Sequence, residues 1–129
     1  MNSMLKIQKD IKKYLKERKW DKLAPADLAK SIMIEAAELL EHFQWSNPTV
    51  DEIKKNKEKF EEIQSEVADV FIYCLDMADR LGFDMEKVAY KKLEKVKAKY
   101  PAKLFRDNEA VPGTELYWKV KNAHRKNQK

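Results

Sequence analysis

Only two glycines, Gly82 and Gly113, occur among the 129 residues of this chain, and it has only four prolines. A β-architecture of this length needs many more turn-forming residues, whereas long helices need few. Apolar residues also recur at steps of three and four, the spacing of a helix with one buried face. The length suits a single core. We therefore expect an all-α domain.

The periodic segments define four main helices, which predict a four-helix-bundle-like domain. Pro25 suits a first helical turn, Thr49 and Glu52 form a capping-box pattern, and Gly82 can end a helix in a left-handed conformation. After Pro101 the pattern weakens to, at most, a short last helix. The helices are predicted at about 3–18 with Ser3 as a candidate cap, 25–45, 49–81 with a bend or break near Asn56, and 84–99. We expect a helical domain at 1–107 and a basic C-terminal extension at 108–129.

The charge pattern does not favour a nucleic-acid partner. The net charge is +5, but lysines and glutamates are interspersed, as in KKNKEKFEE, which is typical of a solvated helix face. Positive charge in excess collects mainly after Tyr117. The sequence has neither a membrane-spanning apolar run nor a signal peptide, so a cytoplasmic protein that does not enter a membrane is expected.

The segment VADVFIYCLDMA in the third helix is apolar around most of its circumference, more than a peripheral helix of a small domain requires. This excess favours a subunit interface, and we expect at least a homodimer. Cys74, which lies within the segment, is interpreted as a small buried hydrophobe rather than a nucleophile.

Two acidic pairs border apolar helix faces. In the second helix Glu35 shares a stripe with Ile32 and Leu39, so it should point inward, and Glu38 lies one turn further at the edge of that stripe. The third helix repeats the arrangement. There Glu66 borders an apolar stripe and Asp69 follows three residues later; the stripe comprises Ile63, Val67, Val70, Cys74 and Met77.

Ionised carboxylates that face each other at the edge of a core are costly unless a cation compensates them. Mg²⁺ prefers oxygen ligands and commonly bridges carboxylates to substrate phosphates, so it suits a site of Glu and Asp without Cys or His. The alternative is that the acids pair with lysines on solvated faces. Two pairs on adjoining helices favour the metal.

The pattern Glu35-x-x-Glu38, a spacer, then Glu66-x-x-Asp69 resembles the metal motif of the all-α, MazG-like nucleoside triphosphate pyrophosphohydrolases. The flanking segments EAAELLEHFQW, SEVADVFIYCLDMADRLG and KAKYP occur in the order typical of the dCTP pyrophosphatase-like branch of that family. The resemblance covers roughly residues 18–107.

The resemblance implies a dimerising helical bundle, often a dimer of dimers, that uses Mg²⁺ to convert a nucleoside triphosphate to the monophosphate and pyrophosphate, for nucleotide-pool cleaning. It also implies that all four acidic residues are metal ligands. One of the glutamates, Glu38 or Glu35, would instead orient or deprotonate the attacking water.

By the same resemblance, Trp20, Trp45 and Tyr73 match aromatic positions that line the nucleotide pocket, and Lys92 matches a basic residue that reaches phosphate. Without the family resemblance, ordinary packing would explain the aromatic residues, and Lys92 would be one more solvated lysine.

Two departures from the branch leave the base open. Leu23-Ala24-Pro25 stands where relatives carry a His, and Val96 stands where they usually carry an Asn. His42 is interpreted as a helix-surface residue that does not replace the missing His. The competing functions are hydrolysis of another phosphoanhydride, such as dUTP or phosphoribosyl-ATP, and a non-catalytic helical module that binds a metal or a partner.

Overall fold

In the computed structural model, which describes residues 3–106 and 112–128, every regular element is a helix. This confirms the predicted all-α class. The predicted domain boundary at 107/108 lies outside the described residues and stays a prediction. The helices are α1 (Ser3–Glu17), α2 (Pro25–Glu41), α3 (Val50–Lys55), α4 (Lys57–Leu81), α5 (Met85–Lys99), α6 (Ala102–Arg106) and α7 (Glu115–Lys126).

The chain forms two compact units, Met1–Met85 and Glu86–Lys129. In the first unit α4 is the central helix, and α1, α2 and α3 all pack against it, α2 most extensively. Leu28 of α2 and Leu75 of α4 are fully buried in this core. The helices that carry the two acidic pairs are therefore neighbours along much of their length.

The second helix ends earlier than its sequence pattern predicts. It begins at Pro25 as expected, but it stops at Glu41 rather than near Trp45. Tighter turns follow, in which the N–H of Phe43 bonds the Leu40 carbonyl at 2.9 Å. Lys59 of α4 also donates to the carbonyl of His42 at 2.8 Å, satisfying a backbone acceptor that a continued helix would have used.

The predicted bend in the third helical region is a complete break at Asn56. The capping box at the start of α3 is present: the Thr49 hydroxyl accepts the Glu52 N–H, and the Glu52 carboxylate accepts the Thr49 N–H at 2.7 Å. Asn56 ends α3 and caps α4 by accepting the N–H of Lys59. Gly82 ends α4 with φ 76°, as predicted, a conformation that glycine adopts without steric cost.

The weak pattern after Pro101 forms two helices rather than one. Within the second unit, the rings of Tyr100 and Tyr117 stack with centroids 5.5 Å apart, and Phe105 meets Tyr100 edge to face. This aromatic contact joins the ends of the unit's helical segments. No helix within 3–106 or 112–128 has the length and apolar character needed to cross a membrane.

Candidate metal centre

Three of the four predicted metal ligands meet where α2 packs on α4. Glu35, Glu38 and Glu66 each place a carboxylate oxygen within 4.8 Å of the others. The set consists entirely of hard, anionic oxygen donors from two rigid helices. Such donors suit Mg²⁺ better than a softer metal. The residues present therefore fit the cation that the spacing predicts.

The electrostatics of Glu35 indicate the cost of this arrangement. Burial raises the pKa of Glu35, and the nearby charge of Glu38 raises it further, followed by that of Asp69 and of Glu66. A hydrogen bond with Glu38 acts in the same direction. All of these influences disfavour the ionised form, and a bound dication would reverse them.

Asp69, the fourth predicted ligand, lies beside this cluster rather than within it. Its side chain is half-buried, one turn along α4 from Glu66, and its charge acts on Glu35. Asp69 also lines the neighbouring cavity. Its role as a metal ligand stays a prediction.

That cavity has a volume of about 460 Å³. Three parts of the chain border it: α1, the segment that links α1 to α2, and α4. It includes two of the predicted aromatic residues, Trp20 and Tyr73, and the ring of Trp20 meets that of Tyr14 edge to face at 6.2 Å. Apolar walls with a few polar groups are typical of small-molecule sites. The lining residues are Asp10, Ile11, Tyr14, Leu15, Trp20, Leu23, Asp69, Ile72, Tyr73 and Asp76.

The other two predicted binding residues lie elsewhere. Trp45 is 90% exposed in the link that follows α2 and is not among the described residues that line the cavity. Lys92 is exposed on α5, in the second unit. Their predicted contacts with a nucleotide stay predictions.

His42 differs from its sequence-based interpretation as a surface residue. Its side chain is 20% exposed, with Nδ1 3.8 Å from Glu62 Oε2 and Nε2 3.8 Å from Glu66 Oε1. The spacing held a signal, because His42 follows Glu35 by seven residues and Glu38 by four, which places all three on one helix face. The tight turn that follows α2 leaves the His42 side chain directed towards α4.

The sequence reasoning also missed residues in the cavity wall. Tyr14 falls on the apolar face of α1 and Asp76 on the polar edge of α4, and neither was singled out as a site residue from the sequence. Asp76 lies three residues beyond Tyr73 and seven beyond Asp69, so one face of α4 carries all three. This i, i+4, i+7 spacing could have identified Asp76 as part of the cavity wall.

A family model for the MazG-like family matches residues 30–112, a range that includes both acidic pairs. The chain belongs to the MazG-like family. The MazG-like match confirms the resemblance inferred from the two motifs, and it extends to the segment after Tyr100-Pro101.

Two relatives agree with the MazG-like assignment. The chain is 31% identical over 93 residues to dCTP pyrophosphatase 1 of Mus musculus, an alignment that covers 70% of this chain and 54% of the mouse protein. The chain thus spans about half the length of that curated relative. It is also similar in structure to a pyrophosphatase from Archaeoglobus fulgidus, with a TM-score of 0.69, 34% identity, and coverage of 78% of this chain and 94% of that one.

Proposed function

We propose that this chain is a Mg²⁺-dependent nucleoside triphosphate pyrophosphohydrolase, which converts a nucleoside or deoxynucleoside triphosphate and water to the monophosphate and pyrophosphate. The observation that carries the proposal is the position of Asp69, which acts on the Glu35 carboxylate and also lines the aromatic cavity. The proposed metal site and the cavity proposed for a flat ring thus adjoin. The pyrophosphatases among the relatives support this reaction class.

In this proposal Glu35, Glu38, Glu66 and Asp69 hold the metal. Mg²⁺, when bound, supplies positive charge that offsets the charge developing on the α-phosphate and the departing pyrophosphate. The carboxylates would fix its position because α2 and α4, each of which carries a fully buried leucine, Leu28 and Leu75, pack against each other. Two rigid helices thus hold the ligand set.

Glu38 is proposed to orient the attacking water, with Glu35 as the alternative. Glu38 is exposed, so its carboxylate can reach solvent water, whereas Glu35 is half-buried with a raised pKa. The oxygen of that water forms a bond to the α-phosphorus, and the bond from the α-phosphorus to the bridging oxygen breaks. Pyrophosphate leaves, and the proton of the water passes through the carboxylate to solvent.

The cavity would receive the nucleoside. Trp20 and Tyr73 line it with flat rings that can stack on a base or close over a sugar. Trp45 and Lys92 are proposed to contact the base and the phosphates, respectively. We also propose that the chain forms a homodimer or homotetramer. Its role would be to clean nucleotide pools in the cytoplasm.

The test is a panel of common and modified nucleoside triphosphates incubated with the full chain and Mg²⁺, with products identified by chromatography. Monophosphate plus pyrophosphate is expected; diphosphate plus phosphate would contradict the proposal. Glu38→Gln should lower kcat by about 100-fold or more, as expected for loss of a positioned proton acceptor. Glu61→Gln, an exposed acid of α4 that pairs with Lys57, is the matched control.

The same panel separates the competing functions. Turnover confined to dUTP or phosphoribosyl-ATP would assign another phosphoanhydride substrate to the same cluster. A complete lack of turnover, with Glu38→Gln and Asp69→Asn changing neither ligand binding nor thermal stability, would favour a non-catalytic helical module.

A further inference from the structure

Asp76 is a buried acid at the far end of the cavity wall. Its residue exposure is 5%, and it lines the same cavity as Asp69 and Tyr73. At 1.5 Å rise per residue, the seven residues from Asp69 to Asp76 extend about 10 Å along α4. That span is comparable with the length of a nucleoside, and Tyr73 lies between the two acids.

Among the described residues, no hydrogen bond or ion pair reaches the Asp76 carboxylate. Two basic residues that meet this end of α4 are engaged elsewhere. Lys12 bonds Asp79 at 2.9 Å, and the Nε of Arg80 donates to the carbonyl of Leu23. Burial raises the pKa of Asp76, and Asp79 raises it further, while Arg80 lowers it.

A largely buried carboxyl group without a protein partner is costly to ionise, and a ligand that enters the cavity and donates a hydrogen bond to it would offset the cost. Asp10, a third acid in the cavity wall beside Asp69 and Asp76, differs in this respect. Asp10 is exposed and lies 3.8 Å from Lys6, so water and a lysine satisfy it. Asp76 is thus distinguished by its burial among apolar and aromatic residues.

We propose that Asp76 is a specificity-determining residue, which accepts a hydrogen bond from the exocyclic amino group of the base. This inference rests on the proposed function, because it takes the Asp69 end of the cavity as the phosphate end. Cytosine and adenine present an amino group on the edge of the ring, whereas uracil and thymine present a carbonyl oxygen. A carbonyl facing the Asp76 carboxylate would leave two acceptors opposed, and a buried site built for a donor rejects such a ligand strongly.

The decisive measurement is the ratio of kcat/KM for dCTP to that for dUTP, with the full chain and Mg²⁺. The wild type should favour dCTP. Asp76→Asn preserves the shape of the side chain but adds an N–H₂ donor that suits a carbonyl, so the ratio should fall by about 10- to 100-fold, the effect of one hydrogen bond to a charged group. Asp27→Asn, at an exposed acid in the first turn of α2, should keep the wild-type ratio.

A second measurement does not depend on folding of the variant. The rise in the melting temperature of the wild type with dCMP should exceed that with dUMP at equal concentration. dAMP and dIMP form a second pair with larger bases, which again differ by an amino group against a carbonyl. Equal shifts within both pairs would overturn the role of Asp76. So would an active Asp76→Asn variant with an unchanged dCTP to dUTP ratio, and in both cases the pyrophosphohydrolase proposal would stand. Absence of turnover across all triphosphates would instead overturn both.

Discussion

The Nε2 atom of His42 lies 3.8 Å from a carboxylate oxygen of Glu66, which joins the turn after α2 to the α4 member of the carboxylate cluster. Lys59 reinforces this junction by donating to the His42 carbonyl at 2.8 Å. The imidazole therefore has a fixed backbone and a position beside a proposed metal ligand. A contact at this distance limits where the Glu66 side chain can lie, and groups next to a metal ligand commonly influence metal affinity.

His42→Ala should weaken Mg²⁺ binding by roughly 10-fold or more, the effect typical of losing a group that orients a ligand. Titration calorimetry with Mg²⁺ measures this directly. His124→Ala, at an exposed position of α7, is the control and should bind Mg²⁺ as the wild type does. An unchanged Mg²⁺ affinity in His42→Ala would reduce His42 to a packing residue.

Glu35→Gln should raise the melting temperature of the metal-free protein at neutral pH and reduce the further rise on adding Mg²⁺. The pKa of Glu35 is raised in the fold, so the folded state binds the proton more tightly than the unfolded state, and stability falls as pH rises above 4.5 through the folded pKa. The advantage of the glutamine variant should therefore disappear at pH well below 4.5. Calorimetric scans with and without Mg²⁺ test this, with Glu61→Gln as control; a lower melting temperature in metal-free Glu35→Gln would contradict it.

Glu52→Ala should lower the melting temperature at pH 7, and its difference from the wild type should shrink in acid. Hydrogen bonds from the backbone and hydroxyl of Thr49 lower the pKa of Glu52 below 4.5. A carboxylate with a depressed folded pKa contributes stability above its unfolded pKa, and that contribution is lost as pH falls through the folded pKa. Thermal scans from pH 7 to pH 3 measure the trend. Glu61→Ala should show no comparable dependence on pH.

Trp45→Ala should weaken nucleotide binding with almost no effect on the free energy of unfolding. The ring is 90% exposed, and replacements at such positions typically change stability by less than about 0.5 kcal/mol. Binding can be followed by titration of a monophosphate product. Val50→Ala, which alters another exposed apolar side chain, should leave nucleotide binding intact. Unimpaired binding in Trp45→Ala would remove this residue from the proposed site.

Phe71→Glu should dissociate the proposed homo-oligomer. The apolar circumference of α4 leaves Val67 51% exposed and Phe71 37% exposed, and α2 exposes Met33 and Leu40 to a greater degree. Apolar side chains concentrated on two adjacent helices are typical of subunit interfaces. Sedimentation velocity compares the variant with the wild type and with Val50→Glu as a control. A monomeric wild type would refute the interface.

Signals confined to a few neighbouring residues predicted the local structure well. Pro25, the capping box of Thr49 and Glu52, and Gly82 all occupy the positions expected of them, since each acts on the backbone within a single turn. The end of α2 was predicted wrongly because a distant side chain, that of Lys59, binds the carbonyl there. Helical spacing along α2 alone contains no information about α4.

The candidate site, too, was predicted only in part from the sequence. Spacing predicted that Glu35, Glu38, Glu66 and Asp69 would share a junction, because adjacent helices bring their edge residues together. The first three do so, whereas Asp69 lies beside them. Spacing did not identify Tyr14 or Asp76 as cavity residues, since apolar periodicity does not distinguish a side chain that packs against another helix from one that faces a void. That distinction requires the three-dimensional arrangement of α1 against α4.

The break at Asn56 has a consequence for how this chain can vary in length. Asn56 caps α4 by itself, and α2 packs on α4 far more extensively than α3 does, so the direction of α4 depends little on how the chain arrives from Trp45. Insertions or deletions between residues 46 and 55 would be absorbed before the cap, and Glu66 would keep its direction. The segment between the two acidic pairs is thus a natural place for evolution, or an engineer, to graft new sequence onto an unchanged metal site.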